Sequence, residues 1–226
     1  MDARNEKTRK GSAWKGLRLA AGIALGLPLL FVGWHTLVRI VRHFYKFPMP
    51  EFLANLIDNP LRRRIQPPEE MAIRHGLEPG TWVLEVGPGN GTYTLAAARR
   101  VGPAGRVVAV DIEPRMVERV LQKAEAEGVQ NVDARVADVT DLPFDDEAFD
   151  AAYMITVVGE IPDPVGALRE LRRVLAPAGT LACSEVLLDP DYPLASTLLR
   201  WAEQAGFRLR EKRGNVLLYT LLLDKG

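Results

Sequence analysis

The sequence predicts an α/β fold, a mostly parallel sheet wound in strand–helix units, with a hydrophobic helix ahead of it. Three observations carry that prediction. A short apolar strand at 83–86 runs into Gly87, Gly89 and Gly91 at alternate positions, then into a helix start at Thr92. From residue 81 on, apolar runs of strand length alternate with runs of helix length, the pattern of a parallel sheet. Residues 19–38 hold no formally charged side chain, only the titratable His35.

The chain has 226 residues, enough for one α/β domain and an appendage. Hydrophobic residues make up 47% and charged residues 26%, a globular balance. Net charge is zero, so no global field points to nucleic acid. A single cysteine, Cys183, rules out an intrachain disulfide and argues against a cysteine-built zinc site. The three histidines, His35, His43 and His75, have no metal-ligand spacing, and no metal is expected.

The chain divides at its composition shifts. Residues 1–18 form a basic flank, with six Lys and Arg against Asp2 and Glu6. Residues 19–46 read as a membrane anchor and interfacial segment. The 20 residues 19–38 match the ~20 that cross a bilayer as a helix. Trp14 and Trp34 sit near the ends, where amphipathic rings prefer the interface. A cleaved signal peptide would have a core of about 7–15 residues and then small residues. This run is longer and ends in Val38-Arg39-Ile40-Val41-Arg42, so a retained anchor is expected. Pro28 disfavours a straight helix there, leaving a true span and a bent, monotopic anchor both open. Gly22 and Gly26 make a G-x-x-x-G, a route to a homodimer between membrane helices. Residues 47–66 read as amphipathic and basic linker helices: a short helix at 51–57, then Arg62, Arg63 and Arg64, suited to anionic lipid or to a solvated helix face.

Residues 67–226 carry the wound sheet. A helix at 69–75 leads to the turn at Pro79-Gly80. Strands are expected at 83–86, 106–110, 132–136, 149–157 and 180–188. Helices are expected from Thr92, at 115–127, at 164–175 and at 193–205, stopped in turn by Gly128, Pro177-Ala178-Gly179 and Gly206. Two last strands, 207–213 and 216–224, meet at Gly214-Asn215, a hairpin signal that makes the last strand antiparallel.

Glycine lets the chain turn tightly and lets a ligand touch bare backbone, while the helix start offers unpaired amides. A dinucleotide fingerprint, G-x-G-x-x-G, would place its third glycine at 92, where this chain has Thr92. The order here is acidic-x-G-x-G-x-G, opened by Glu85. Asp111 ends the second strand, where an acid can accept from both hydroxyls of a ribose. Ile112 beside it can press on a purine face. Asp138 ends the third strand, where it can accept from an adenine amino group while backbone at Val139 meets a ring nitrogen.

The segments Glu85-x-Gly87-x-Gly89-x-Gly91, Asp111, Ala137-Asp138 with Leu142-Pro143-Phe144, Phe149-Asp150 and Leu171-Arg172-Arg173-Val174-Leu175-Ala176-Pro177-Ala178-Gly179 stand in a characteristic order. From residue 67 to about 224 the chain resembles the class I S-adenosylmethionine-dependent methyltransferases, in particular the ubiquinone-biosynthesis-like small-molecule enzymes. The resemblance implies a Rossmann-like seven-strand sheet, mostly parallel with the antiparallel last strand between the fifth and sixth. It implies S-adenosylmethionine as cofactor, with Gly87, Gly89 and Gly91 against the methionine part, Asp111 on the ribose and Asp138 at the adenine. It predicts nothing about the anchor.

Methyl transfer requires alignment and exclusion of water more than side-chain chemistry. Candidates for catalytic work are Tyr153, Thr156 and Glu160, near the carboxyl end of the fourth strand. The Asn/Asp-Pro-Pro-Tyr motif of many amine-methylating enzymes is absent, and Met154-Ile155-Thr156-Val157-Val158-Gly159-Glu160 stands in its place. The expected function is a membrane-anchored methyltransferase acting on a lipid or other hydrophobic small molecule, with its catalytic domain on the cytosolic face. A quinone- or thiol-type methyltransferase and a non-catalytic S-adenosylmethionine-binding partner of a membrane complex are the alternatives.

Overall fold

The computed structural model describes residues 60–226 and, before them, Gly26, Leu30, Val32, Gly33, 36–38, Ile40 and Val41. The chain divides into two compact units, Met1–Tyr45 and Lys46–Gly226. The described positions of the first unit are helical. Thr36 Oγ1 donates to the Val32 carbonyl at 2.8 Å, one turn back. Leu30, Val32, Leu37, Ile40 and Val41 are exposed. Among the described residues, no helix is long and apolar enough to cross a membrane. Most of the expected anchor, Gly22 of the G-x-x-x-G and the helix at 51–57 lie outside the described residues.

The second unit is a seven-stranded sheet with helices on both faces. In chain order it runs α1 (Pro60–Ile65), α2 (Pro68–Arg74), β1 (Trp82–Val86), α3 (Thr92–Val101), β2 (Arg106–Asp111), α4 (Pro114–Ala126), β3 (Val132–Val136), β4 (Phe149–Ile155), α5 (Pro164–Val174), β5 (Leu175–Val186), α6 (Ala195–Gln204), β6 (Phe207–Gly214) and β7 (Leu218–Lys225). Spatial order is β3-β2-β1-β4-β5-β7-β6. The first five strands pair in parallel, and β7 is antiparallel to both β5 and β6, as expected. The order reverses between β1 and β4, so the crevice beyond their carboxyl ends is where such a sheet binds ligands.

Burial explains the strand sequences. β1 and β4 are covered on both faces, so they read as continuous apolar runs rather than alternating ones. Leu84 and Val86 pack with Met154, Leu168 and Leu171 on one face, and Val83 packs with Tyr153, Ala97 and Met71 on the other. The helices bury one stripe each. In α5 that stripe is Ala167, Leu168, Leu171 and Val174, and the helix is started by Asp163, whose carboxylate accepts from Gly166 N at 2.9 Å, with Pro164 at its first turn.

Three of the differences from the expected boundaries have a visible cause. β4 stops at Ile155, two residues early, because Thr156 turns into the left-handed region at φ 57°. β5 begins at Leu175 rather than at Thr180, since Leu175 pairs with Phe149 before a register shift brings Thr180 beside Ala151. The hairpin loop is three residues rather than a tight Gly-Asn pair. The Asn215 side chain accepts from Leu217 N at 2.8 Å and Leu218 N at 3.3 Å, which takes Val216 and Leu217 out of the strand.

Candidate active site

A cavity of about 500 Å³ opens beyond the carboxyl ends of β1, β2 and β4. Its lining draws on two sets of residues: the cofactor candidates Glu85, Gly87, Gly89, Asp111, Ile112, Asp138 and Val139, and, besides them, Arg62, Thr156, Val157, Glu160, Ile161 and Asp189.

The three glycines all have positive φ, but they serve three purposes. A Cβ on Gly87 would stand 2.5 Å from Val157 Cγ2, so this glycine lets β1 pass the chain leaving β4. A Cβ on Gly89 would meet nothing within 4 Å, and the residue lines the cavity, which leaves its backbone bare to a ligand. Gly91 caps α3 and is not among the lining residues. A Cβ there would approach Val120 Cα at 3.3 Å, so Gly91 serves helix packing against α4.

Glu85 is 3% exposed. Burial raises its carboxyl from 4.5 to about 7, against the lowering effect of the Thr94 and Tyr153 hydroxyls, with the Asp111 charge adding to the rise. Yet Glu85 Oε2, Thr94 Oγ1 and Tyr153 Oη close no hydrogen bond of standard geometry. Asp111, half-buried, is pushed up chiefly by burial, and its Oδ1 accepts from Glu113 N at 2.9 Å. Asp138 is exposed at the rim. Its Oδ1 accepts from Thr140 N at 2.8 Å and Thr140 Oγ1 at 2.7 Å, bonds that hold the carboxyl below its ordinary value. Ile112 lies 55% exposed beside Asp111, an apolar surface left open in the cavity wall.

The expected catalytic candidates part company. Thr156 and Glu160 line the cavity, whereas Tyr153 is buried and stacks on His75 with ring centroids 5.0 Å apart. Its hydroxyl faces Glu85, and burial followed by that carboxylate pushes it well above the usual tyrosine value. Tyr153 therefore stands behind Glu85 rather than in the cavity.

Two residues outside the named catalytic and cofactor candidates bear on the site, one in its wall and one buried behind it. Arg62, from the three-arginine run, donates from Nη2 to Thr156 Oγ1 at 2.7 Å and lies 5.7 Å from the centre of the Tyr93 ring. The neighbouring Arg63 reaches Thr92 Oγ1 at 3.3 Å, so α1 is tied to the start of α3. Glu185, 1% exposed near the end of β5, is the second. Burial raises its carboxyl well above the ordinary range, the charges of Asp189, Glu160 and Asp191 add to that, and Arg62 opposes it. A charged residue inside the apolar run Leu181-Ala182-Cys183-Ser184-Glu185-Val186 was the available signal. For Arg62 the signal was the three-arginine run just ahead of the domain, which fits the mouth of a site, but its bond to Thr156, 94 residues away, had none.

The donor set fits S-adenosylmethionine. Bare backbone at Gly89 suits the methionine part, Asp111 has a carboxylate oxygen beyond its bond to Glu113 for ribose hydroxyls, and Glu85 Oε2 is a buried acceptor with no partner. Comparison with known proteins agrees. Residues 84–183 match the methyltransferase-domain family model. Demethylmenaquinone methyltransferase of Staphylococcus aureus is 36% identical over 119 residues, 53% of this chain and 48% of that protein. The chain thus spans about half the length of the curated relatives it matches. A SAM-dependent methyltransferase from Aquifex aeolicus superposes with a TM-score of 0.73 at 24% identity, covering 78% of this chain and 98% of the other, which shows the fold. The [4+2]-cyclase SpnF superposes with a TM-score of 0.59 at 29% identity, over 64% of this chain and 57% of its own. Residues 84–183 thus carry a methyltransferase domain, and that domain on this fold implies S-adenosylmethionine as its cofactor.

Proposed function

We propose that this chain is a membrane-held enzyme that methylates a lipid-like small molecule, a quinol-type ring being the acceptor class its relatives favour. One observation carries the reading beyond the domain itself. Besides the cofactor residues, the same cavity is lined by Val157, Ile161 and Pro162, with Arg62 and Thr156 as polar groups for an acceptor oxygen. Apolar walls with a few convergent polar groups suit an aromatic or lipid-like molecule. The demethylmenaquinone methyltransferase similarity and the exposed apolar side chains at 30–41 support the same class.

When bound, S-adenosylmethionine supplies an electrophilic methyl group on a sulfonium. Everything else falls to the chain. Asp111, Ile112, Asp138 and Val139 orient the nucleoside, and the Gly87–Gly89 backbone fixes the depth of the methionine part. Arg62 holds an acceptor oxygen and favours its ionised form, while Glu160 and Asp189 are the wall carboxylates in reach of a departing acceptor proton. Glu85 and Tyr153 stiffen the floor. Burial holds the Glu185 carboxyl well above its ordinary range, which disfavours a negative charge behind that wall. The catalytic domain faces the cytosol in this reading, and impermeant labelling of a cysteine placed at Ser12 tests whether the anchor crosses the bilayer.

The deciding experiment is incubation of the purified protein with methyl-labelled S-adenosylmethionine and a total membrane-lipid extract. Label is expected in an organic-soluble product, with stoichiometric S-adenosylhomocysteine. The similarity to a cyclase on this fold gives one rival, a non-methylating site, and cofactor binding without any S-adenosylhomocysteine release would favour it.

A further inference from the structure

The sheet domain carries its own apolar tip, at the end where the cavity opens. The loop after β5 and the β6–β7 hairpin loop are joined there by three hydrogen bonds. Leu187 N donates to the Leu217 carbonyl at 2.8 Å. Tyr192 Oη donates to the Val216 carbonyl at 2.5 Å, and Tyr219 Oη donates to the Pro193 carbonyl at 2.8 Å. The Tyr192 and Tyr219 rings meet edge to face with centroids 5.5 Å apart beneath this junction. On the unit so formed, Leu188 is 54% exposed, Leu194 55%, Val216 60% and Leu217 57%.

Scattered exposed leucines are ordinary on a protein surface. Four on one hydrogen-bonded unit, where polar loop residues would cost nothing, are not scattered. Their backbone is already fixed, so burying them would lose little further conformational freedom. The tip also adjoins the site: Asp189, next to Leu188, lines the cavity, and Arg62 of α1 reaches Thr156 and lies close enough to Glu185 to act on its carboxyl.

We infer that the tip formed by Leu188, Leu194, Val216 and Leu217 inserts into a lipid surface and brings the cavity mouth to the leaflet. A lipid surface is the occupant the chain itself argues for. Its first unit already exposes Leu30, Val32, Leu37, Ile40 and Val41, side chains that face solvent at a cost and lipid at none. Asp189 and Asp191 share the loop, so the tip is drawn by apolar burial rather than by anionic headgroups, and its contact is insensitive to salt. The inference deepens the membrane part of the proposed function and does not depend on methyl transfer.

The test uses the full-length protein with phosphatidylcholine vesicles carrying a shallow nitroxide lipid. Cys183 is buried, so a cysteine introduced at the surface takes a fluorophore selectively. Labels at Leu194→Cys and Leu217→Cys should be quenched roughly twofold or more beyond labels at Leu121→Cys and Leu209→Cys, exposed apolar controls elsewhere on the domain, as shallow insertion requires. Quenching should persist in high salt. Vesicle flotation reads membrane attachment separately, and calorimetry with S-adenosylhomocysteine reads the methyltransferase site. Flotation with tip labels quenched no more than the controls overturns the inference and spares the anchor. Absence of flotation overturns both. A blue shift of the tip labels without lipid quenching, the sign of a second copy or a protein covering them, also overturns it.

Discussion

The two parts of the cavity are built from the chain in opposite ways. In the cofactor part, Glu85 through Asn90, Asp111 and Asp138 arrive in sequence order, each at or just beyond the end of the strand that positions it. The acceptor part is assembled from distant pieces: Arg62 on α1, Thr156 and Glu160 beyond β4, and Asp189 after β5. The first is a local grammar of strand, turn and helix. The second exists only once the sheet has closed. Variants in the first should alter stability and cofactor affinity, and variants in the second should alter turnover.

The largest effect should come from Glu85. Its folded carboxyl is raised to about 7 from 4.5, so the folded state holds the proton more tightly than the unfolded chain. Its stabilising contribution is complete below about 4.5 and is lost as pH rises through about 7, a change of about 3 kcal/mol for this one group. Glu185 is shifted in the same direction and adds to that fall, whereas buried His75, lowered from 6.5 to about 3, works the opposite way below about 6.5. Glu85→Gln isolates the share of Glu85. Denaturation of the variant from pH 5 to 8 should show a slope reduced by that share, and an unchanged slope would remove the assignment.

Asp111→Ala should weaken S-adenosylmethionine binding by about 1.5–3 kcal/mol, the scale of a charge-assisted hydrogen bond, with the fold intact. Arg62→Ala should leave that affinity alone and lower turnover instead. Calorimetry and a turnover assay on the same two proteins sharpen the contrast, and an equal loss of cofactor affinity in both would merge the two parts into one.

The glycines test how far a motif can be read. Gly87→Ala places a methyl against Val157 and keeps a left-handed φ, so it should destabilise the fold by about 1–3 kcal/mol. Gly89→Ala carries the backbone strain without the clash, and should cost less stability while lowering cofactor affinity. If thermal denaturation finds Gly89→Ala the less stable of the two, the division of labour is wrong.

These contrasts explain what was legible. The parallel sheet and the antiparallel β7 followed from strand–helix alternation and the closing hairpin, because a two-sided sheet forces those patterns on the chain, while the place of β7 between β5 and β6 came from the family resemblance. The motif glycines were found together, but spacing could not tell that Gly91 packs on Val120 whereas Gly89 faces the cavity. Tyr153 and Thr156 are close in sequence, yet strand alternation and the turn at Thr156 send one to the floor and the other to the wall. Arg62 read as part of a charge run, since nothing local links residue 62 to residue 156. The early start of β5 was hidden for a related reason: Pro177 and Gly179 signal a turn, while the pairing of Leu175 with Phe149 is a contact across the sheet.

The smallest effect is the most diagnostic of how the acceptor part is held. Thr156 is a β-branched residue at φ 57°, a conformation such residues rarely adopt. Its Oγ1 accepts from Arg62 and donates to the Ile155 carbonyl at 2.7 Å, and its backbone N donates to the Ser184 carbonyl at 2.8 Å. These bonds hold the turn against its strain. Thr156→Ala and Thr156→Gly both remove the hydroxyl, so they lose the Arg62 contact equally. They differ in the cost of the left-handed backbone, which glycine escapes and alanine bears at about 1–2 kcal/mol. Glycine's greater freedom in the unfolded chain offsets about 0.5–1 kcal/mol of that. Thr156→Gly should therefore be the more stable variant by up to about 1.5 kcal/mol, although glycine is the worse choice at an ordinary strand end. Both should lose turnover alike, because both release Arg62. Equilibrium denaturation with Thr156→Ala the more stable would mean that the turn is not strained, and that Thr156 is kept for its hydroxyl alone.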